Sequence, residues 1–312
     1  FRKSFQLVHK GAVHWFPGHM TKGLRQMQQK LKEVDCIIEV HDARIPFSGR
    51  NSEFKHTISG LKPHILVLNK KDLSDTNLFA EVGDKIRNTE SIDHVIYTNC
   101  KNEKCSGINR IIPKAAQLIA NSDRFNRAEE KSFCIMVVGV PNVGKSSLLN
   151  ILRSRHLKRS KGSAVGAVAG ITRSVLNQIK VCEDPLVYML DTPGILTPNI
   201  KDVEVGMKLA LCSCLQDHLV GEDFIADYLL YWLNKASNFE YMTLMGLDAP
   251  TDNIVHVLLS GARKLNKVKK LKNYDGSIVV RPDLIAAAQY FIKHFRNGYF
   301  GKVNLDRNNL LD

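Results

Sequence analysis

The sequence predicts an α/β protein, with a doubly wound, mainly parallel sheet followed by a small helical C-terminal domain. Five short apolar runs alternate with helix-like segments in the first two thirds of the chain, as in parallel sheets covered by helices. Beyond about residue 199, apolar residues recur at helical spacing, and the clearest candidate strand there is a short one at 278–280.

Composition narrows the function classes. The 312 residues suggest about two domains, and 44% hydrophobic with 24% charged residues is typical of globular proteins. The 44 Lys and Arg residues against 31 Asp and Glu give a net charge of +13, which favours a polyanionic partner, either nucleic acid or an anionic membrane surface. Seven scattered cysteines argue against a disulfide framework and for a reducing compartment.

The first 32 residues are basic: they contain seven Lys or Arg, three His and no carboxylate. This composition fits the remnant of a mitochondrial presequence and fits an rRNA-binding arm equally well. Because the chain starts at Phe1, we expect its natural N-terminus to lie upstream. We predict a basic N-terminal segment over 1–20, the sheet domain over 21–198 and the helical domain over 199–312.

Each sheet element is predicted from its apolar run. The predicted strands are Cys36–Val40, Ile65–Leu68, Val95–Tyr97, Cys134–Val138 and Leu186–Leu190, and residues 175–181 could pair beside the last of these. The predicted helices of the second domain are Val203–Leu219, Phe224–Leu233 and Leu284–Phe295. Ligands of such sheets bind at the carboxyl ends of the strands.

A phosphate-binding loop follows the fourth strand. Gly139 to Ser146 reads G-V-P-N-V-G-K-S, which matches G-x-x-x-x-G-K-[ST] between a strand and a predicted helix over 147–152. Backbone N–H groups of such a loop wrap the β-phosphate at a helix N-terminus. Lys145 would bridge the β- and γ-phosphates, and the Ser146 hydroxyl would bind Mg²⁺.

Two further motifs end strands of the same sheet. Asp191-Thr192-Pro193-Gly194 supplies an Asp that could hold Mg²⁺ through water and a Gly194 amide that could sense a γ-phosphate. Asn69-Lys70-Lys71-Asp72 has the N-K-x-D form that reads guanine. The Asp72 carboxylate can accept both N1–H and N2–H of guanine, whereas adenine offers neither donor. Asn69 would brace the loop, and the Lys70 stem would cover one face of the base.

The order of these motifs is reversed relative to Ras-like GTPases, because the base reader precedes the phosphate loop. Loops on one sheet edge can be reordered along the chain without changing that edge. The sequence therefore predicts a circularly permuted P-loop GTPase domain.

The chain resembles the circularly permuted GTPases that assist assembly of the large ribosomal subunit, and their mitochondrial branch in particular. The resemblance runs from Trp15 to nearly the end of the chain. It is carried by Trp15-Phe16-Pro17-Gly18-His19-Met20, by Asp42-Ala43-Arg44-Ile45-Pro46, by the three nucleotide motifs and by Asp227-Tyr228-Leu229-Leu230 in the helical domain.

The resemblance implies a set of site residues. Thr172 is the expected switch threonine for Mg²⁺ and γ-phosphate, although Ala169 stands where the family usually has Pro. Thr98-Asn99-Cys100 replaces the family's base-capping Ser-Ala-Lys, so only its backbone contact carries over. The expected GTP contacts are Asn69, Lys70, Asp72, Thr98, Asn99, Cys100, Asn142, Val143, Gly144, Lys145, Ser146, Ser147 and Gly194. Expected Mg²⁺ holders are Ser146, Thr172 and, through water, Asp191.

Hydrolysis needs a group that the sequence does not supply at its usual place. Ile195 stands where Ras-like enzymes have the glutamine that orients the attacking water. The expected catalytic residues are Lys145, Thr172 and Gly194. Two candidates could take the place of the missing glutamine: His19, to which the resemblance gives a catalytic role, and a K⁺ ion, which the resemblance places at Asn142. An alternative for His19 is a structural or rRNA-contacting imidazole.

The expected partners are GTP or GDP and the mitochondrial large ribosomal subunit with its rRNA, and the expected location is the mitochondrial matrix. Basic surfaces also allow peripheral contact with the inner membrane, and we expect a monomer. The basic segments are Arg153, Arg155, Lys158, Arg159 and Lys161 near the first switch, and a run over 263–272 expected on one surface helix. The alternative function is an rRNA-binding scaffold whose GTP site is structural and does not hydrolyse.

Overall fold

A computed structural model describes residues 1–6, 19–50, 62–90, 92–124, 127–157, 178–196, 200, 202–272, 274 and 277–310, and of residues 19–24 the backbone alone. The chain divides into two compact units. The GTPase unit comprises Phe16–Ile200 and Lys302–Asp312, and the helical unit comprises Phe1–Trp15 and Lys201–Gly301. Among the described residues, no helix is both long and apolar enough to cross a membrane.

Six of the described strands form the sheet of the GTPase unit, in the order β3-β2-β1-β4-β6-β5. They are β1 (Cys36–Asp42), β2 (His64–Asn69), β3 (Val95–Tyr97), β4 (Phe133–Val138), β5 (Gln178–Glu183) and β6 (Leu186–Asp191). All neighbours pair in parallel except β5 and β6, which are antiparallel. The predicted mainly parallel sheet is confirmed, and the five firmly predicted strands lie within β1, β2, β3, β4 and β6. Of the possible strand over 175–181, the described part from Gln178 onward belongs to β5.

The helices of the GTPase unit among the described residues are α1 (His19–Lys30), α2 (Phe79–Glu90), α3 (Ser106–Asn109), α4 (Ile111–Ala120) and α5 (Lys145–His156). Met27 of α1 packs with β1 and β4, while Val82 and Ile86 of α2 pack with β2. Because β1 is buried along its whole length, its near-continuous apolar sequence is that of a central parallel strand.

The helical unit contains α6 (Val203–Leu211), α7 (Asp217–Val220), α8 (Glu222–Lys235), α9 (Glu240–Met245), α10 (Ile254–Lys264) and α11 (Leu284–Arg296). Its core includes the buried Tyr228, Tyr241 and Phe291. Arg296 holds α11 to the preceding helices through Asp217, at 2.6 and 2.7 Å, and through backbone carbonyls of α6. The single helix predicted over 203–219 is two helices, separated by residues 212–216.

The helical unit also carries a two-stranded antiparallel hairpin, β7 (Val268–Lys272) and β8 (Ile278–Pro282). We name β7 and β8 the basic hairpin, because exposed Lys269, Lys270, Lys272 and Arg281 lie on it. The expectation of one surface helix over 263–272 is wrong. Arg263 and Lys264 end α10, and the residues from Val268 to Lys272 form a fully exposed strand that pairs with β8.

The unit boundaries differ from the predicted division at both ends of the chain. Residues 302–310 return to the GTPase unit. The first residues instead lie on the helical unit, where Arg2 pairs with Asp227 at 2.8 Å and Phe5 packs edge-on against Tyr228. These contacts are an ion pair and a ring contact between residues far apart in the sequence, so composition alone could not reveal them.

Candidate nucleotide site

The candidate site lies at the carboxyl ends of β1, β2, β3, β4 and β6. The chain goes from β1 to β2 on one side and from β4 to β6 on the other. The order of the strands therefore reverses between β1 and β4, and open α/β sheets bind ligands in the crevice at such a point. The phosphate loop follows β4, and Asn69 ends β2.

The phosphate loop is closed over its own lysine. Lys145 begins α5, and its Nζ donates to the carbonyl oxygens of Gly139 and Val140 at 3.2 and 2.9 Å. Gly144 precedes it with φ of 104°, a left-handed conformation that favours glycine. This strand–loop–helix arrangement places a cation and the unpaired amides of a helix N-terminus at one point, where they can bind phosphate.

Ser146 and Asp191 meet beside this loop. The Ser146 hydroxyl donates to Asp191 Oδ2 at 2.9 Å. Asp191 Oδ1 is buried and, among the described residues, has no hydrogen-bond partner. Burial raises the pKa of the Asp191 carboxyl, against the opposing effects of Ser146 and Lys145. A hydroxyl and a partly unsatisfied carboxylate are hard oxygen donors, so these residues fit Mg²⁺ and its bound water.

The turn after β6 lies directly against the phosphate loop. A Cβ on Gly194 would stand 2.6 Å from the backbone of Pro141, so this approach requires glycine. Ile195 N donates to the carbonyl oxygen of Gly139 at 3.2 Å. The Ile195 side chain is buried in the core with Met27 and Leu190. It therefore points into the core and takes no part in orienting water.

Asn69 joins the base side of the site to the phosphate side. Its Nδ2 donates to the carbonyl oxygen of Val143 in the phosphate loop at 2.8 Å. Its Oδ1 accepts the Thr98 hydroxyl and the Cys100 backbone N–H, both at 3.1 Å. One buried amide thus fixes two loops that are far apart in sequence, as the predicted bracing role requires.

The loop predicted to read guanine presents a buried carboxylate oxygen. Asp72 Oδ1 is buried and has no hydrogen-bond partner within the described part of the chain. Because a buried, unsatisfied acceptor costs about 1–3 kcal/mol, a ligand donor at this position would relieve a real penalty. The N1–H and N2–H groups of guanine are such donors.

Lys70 is anchored by the last residue of β1. Its Nζ lies 2.9 Å from Oδ2 of Asp42, which is buried. Arg44 binds the same carboxylate through two side-chain contacts of 2.9 and 2.7 Å. Burial alone would raise the pKa of Asp42, but Arg44 and Lys70 outweigh it and hold that pKa well below its usual range.

The base-capping loop closes the cleft. The Thr98 carbonyl oxygen accepts the Lys71 N–H at 3.0 Å, so this loop and the base reader are joined through their backbones. Burial raises the pKa of the Cys100 thiol to about 12, which keeps it neutral. The cleft is lined by Asn69, Lys70, Asp72, Leu73, Asn99, Cys100, Lys101, Asn142, Gly144 and Ser147.

Two predicted site residues cannot be placed. Thr172, together with Lys158, Arg159 and Lys161, lies outside the described residues, and so does the side chain of His19, whose backbone begins α1. Arg153 and Arg155 lie in the last turn of α5. Among the described residues, the other predicted contacts all lie at this one edge.

Sequence reasoning assigned no role to two buried carboxylates near the site, Asp42 and Asp306. Asp42 lies inside a segment that carries the family resemblance, and its position two residues past the predicted first strand was a usable signal. Asp306 accepts hydrogen bonds from the loop after β1 although 258 residues separate it from Ser48. No local pattern could have indicated that pairing.

Comparisons with known proteins agree with this geometry. The sequence profile of the family described as 50S ribosome-binding GTPase matches residues 134–274. Mitochondrial GTPase 1 of Aedes aegypti is 62% identical over 307 residues, which is 98% of this chain and 97% of that protein. Mitochondrial ribosome-associated GTPase 1 of Mus musculus is 50% identical over 310 residues, covering 98% and 94% of the two chains.

A solved structure shares the fold. GNP-bound YlqF from T. maritima superposes with a TM-score of 0.54 at 24% identity, covering 91% of this chain and 97% of that one. In this chain the motif that follows β2 precedes the phosphate loop after β4, so the order of the motifs along the fold is reversed. The predicted fold class is therefore confirmed, and the chain belongs to the mitochondrial GTPase 1 (mitochondrial ribosome-associated GTPase 1) family of circularly permuted GTPases.

Proposed function

We propose that this GTPase acts as an assembly or maturation factor for the mitochondrial large ribosomal subunit, with hydrolysis stimulated by the ribosome. The observation that carries the nucleotide assignment is that one buried oxygen of Asp72 and one of Asp191 have no hydrogen-bond partner among the described residues. Asp72 follows Asn69 in the loop after β2, and Asp191 ends β6, where it accepts the Ser146 hydroxyl. One suits guanine donors, and the other suits hydrated Mg²⁺.

At the base end, Asp72 accepts the two guanine donors, the Lys70 stem covers the base and Asn69 keeps the reader in register with the phosphate loop. Thr98, Asn99 and Cys100 cap the base through their backbone. The Asp42 carboxylate supports this assignment, because it fixes the Lys70 ammonium 2.9 Å away and so fixes its stem.

At the phosphate end, backbone amides of Val143, Gly144, Ser146 and Ser147 hold the phosphates, and Lys145 turns from the loop carbonyls to the β- and γ-phosphates. Mg²⁺, bound by Ser146 and Thr172 with Asp191 behind a water, would neutralise developing charge. The Gly194 amide contacts the γ-phosphate, which is supported by its close approach to Pro141.

The group that orients the attacking water comes from outside the turn that follows β6, because Ile195 is in the core. His19 or a K⁺ ion held by Asn142 takes this role. Asn142 supports the second choice, because it lines the cleft with φ of 58° in the loop. Both choices predict slow turnover by the isolated protein.

The ribosomal role is supported by the names of the relatives, which are mitochondrial and ribosome-associated. The basic hairpin offers an exposed surface for rRNA phosphates, since phosphate contacts need charge rather than sequence readout. We place the protein in the mitochondrial matrix as a monomer, with peripheral contact to the inner membrane as a further property of the same basic surfaces.

The test is GTP hydrolysis with and without purified mitochondrial large subunits, in K⁺ and again in Na⁺. Strong stimulation by the subunit supports the proposed role, and a K⁺ requirement assigns the missing group to the ion held by Asn142. Tight GTP binding without turnover under every condition would instead support the rRNA-binding scaffold with a structural GTP site.

The hairpin is tested separately. A triple variant in which Lys269, Lys270 and Lys272 are all replaced by Glu should bind the ribosomal subunit more weakly than the wild type, with the largest difference at low salt. Its affinity for GDP should be unchanged. Vesicles with anionic headgroups serve as the second ligand. If the triple variant loses vesicle binding but binds the ribosomal subunit normally, the partner of the hairpin is the membrane and not the ribosome.

A further inference from the structure

The last described segment of the chain crosses back over the guanine-reading side of the site. The helical unit ends at Gly301, and residues from Lys302 onward belong to the GTPase unit. We name residues 302–306 the C-terminal strap. It includes Val303, Leu305 and Asp306, all of which are buried.

The strap first holds the loop after β1. Leu305 N donates to the carbonyl oxygen of Arg44 at 2.8 Å. The Asp306 carboxylate, which is 0% exposed, accepts the backbone N–H of Phe47 at 2.8 Å and that of Ser48 at 2.7 Å. It also accepts the Ser48 hydroxyl at 2.5 Å. A single buried carboxylate therefore satisfies three donors of that loop.

The strap also holds the segment that follows the base reader. Val303 N donates to the carbonyl oxygen of Leu73 at 3.0 Å, and Asp75 N donates to the carbonyl oxygen of Val303 at 3.3 Å. Leu73 is the residue directly after Asp72. The strap thus adds an extra hydrogen-bonded chain segment beside the carboxylate that reads guanine.

The two loops held by the strap also contact each other. The Ser74 hydroxyl donates to the carbonyl oxygen of Ala43 at 2.8 Å, and Asp42 binds Lys70. Strap, loop after β1 and base reader therefore form a closed set of contacts around Lys70 and Asp72. Because the Asp306 carboxylate is buried and its donors on Phe47 and Ser48 are partly buried, a displacement of the strap leaves these groups without partners, and the loops must move to recover them.

We infer that the C-terminal strap is a positioning element of the guanine site, with Asp306 as its main positioning residue. The strap fixes where Lys70 and Asp72 stand, and so sets guanine affinity and the rate of nucleotide release. This inference rests on the proposed assignment of Asp72 as the base reader. It makes the end of the chain, and the helical unit that leads directly into it, part of the control of guanine-nucleotide exchange.

The test uses Asp306→Asn in the full chain and measures release of a fluorescent GDP analogue. We expect release at least about tenfold faster than in the wild type. The second readout is the preference for GDP over inosine diphosphate, which lacks the 2-amino group that Asp72 accepts. If the strap positions Asp72, this preference falls at least about threefold, whereas general destabilisation lowers both affinities by the same factor.

The matched control is Asp35→Asn. Asp35 is also a buried carboxylate of the GTPase unit, and it accepts Cys134 N at 2.8 Å together with Arg124 and Arg127. It lies at the opposite end of β1 from Asp42, so its loss should lower stability and leave the base preference unchanged. Ser48→Ala, which removes one donor to Asp306, should change release in the same direction by about two- to threefold.

Unchanged GDP release in folded Asp306→Asn, or equal weakening of GDP and inosine diphosphate, would overturn the role of the strap. If Asp306→Asn does not fold, normal release and preference in Ser48→Ala would overturn it instead. Failure of the proposed site is a different result: it appears as wild-type protein that binds guanosine and inosine diphosphates equally well.

Discussion

The phosphate end and the base end of the site are built in different ways. At the phosphate end, Lys145 contacts carbonyls five and six residues away within one continuous loop. At the base end, Asn69 reaches Val143 across 74 residues, and Asp306 reaches the loop that carries Arg44. One end is a local motif, whereas the other is an assembly of distant segments.

This difference indicates how circular permutation is tolerated. A local motif keeps its geometry wherever it stands along the chain, because its contacts lie within one strand, loop and helix. An assembled end must be rebuilt by contacts that survive reordering. Asn69, Asp42 and the C-terminal strap are those contacts here, and the predictions below test the two ends separately.

The largest effect is expected at the phosphate end. Asp191→Asn should lower GTP hydrolysis at least about 100-fold, because it removes the charge that holds hydrated Mg²⁺. Since burial raises the pKa of Asp191, its ionised form is disfavoured in the folded protein, and the nucleotide-free variant should be more stable than the wild type. Turnover assays and urea denaturation measure the two effects. Unchanged turnover would remove Asp191 from the metal site.

The link between the two ends gives the next effect. Asn69→Ala should weaken GDP binding by about tenfold to 100-fold, because three hydrogen bonds joining three loops are lost. Titration calorimetry measures the affinity. Asn150→Ala, on the exposed face of α5, is the control and should bind GDP normally. Equal affinities of the two variants would show that the ends are independent.

The third prediction concerns Ile195, in the turn after β6, and asks whether this residue affects hydrolysis or only stability. Ile195→Gln should not raise intrinsic hydrolysis, because that side chain lies in the core with Met27 and Leu190. It should lower the free energy of unfolding by about 1–3 kcal/mol, the cost of burying an unpaired amide. Faster hydrolysis by this variant, measured as single turnover, would mean that residue 195 reaches the nucleotide after all.

The smallest effect lies beneath both ends, in the buried pair of Glu39 and His41. Burial lowers the pKa of His41, and the nearby charges of Arg50 and Lys145 lower it further. Glu39 raises this pKa but does not outweigh them. As pH falls below about 6.5, the unfolded chain binds a proton that the folded chain refuses, so stability falls by up to about 1.4 kcal/mol per pH unit. His41→Gln should reduce this slope. Identical slopes in urea denaturation from pH 7 to 5 would contradict it.

The fold and the local half of the site could be predicted from the sequence. Apolar runs located the five parallel strands of the sheet, and the G-x-x-x-x-G-K-[ST] pattern located the phosphate loop, because both signals are contained in a few adjacent residues. The return of residues 302–306 and the helix break at 212–216 could not be predicted. The first depends on a set of hydrogen bonds between residues far apart in the sequence, and the second on packing, and no short sequence pattern encodes either.

The basic run over 263–272 shows a further limit. Lysines and apolar residues alternate there imperfectly, so helix and strand periods fit about equally well over so short a window. The pairing of Val268 with Pro282 and of Lys272 with Ile278 decides for a hairpin. The partner strand β8 begins only after an intervening turn, so a prediction from residues 263–272 alone cannot take it into account.

The central claim is that Asp72, which precedes the phosphate loop in the chain, recognises the guanine base of the nucleotide whose phosphates the loop binds. The direct measurement is the affinity of Asp72→Asn for GDP and for xanthosine diphosphate, whose C2 carbonyl accepts where guanine donates. We predict at least about 100-fold loss of GDP affinity and a gain in affinity for xanthosine diphosphate. Unchanged preference for GDP in the folded variant would contradict the account.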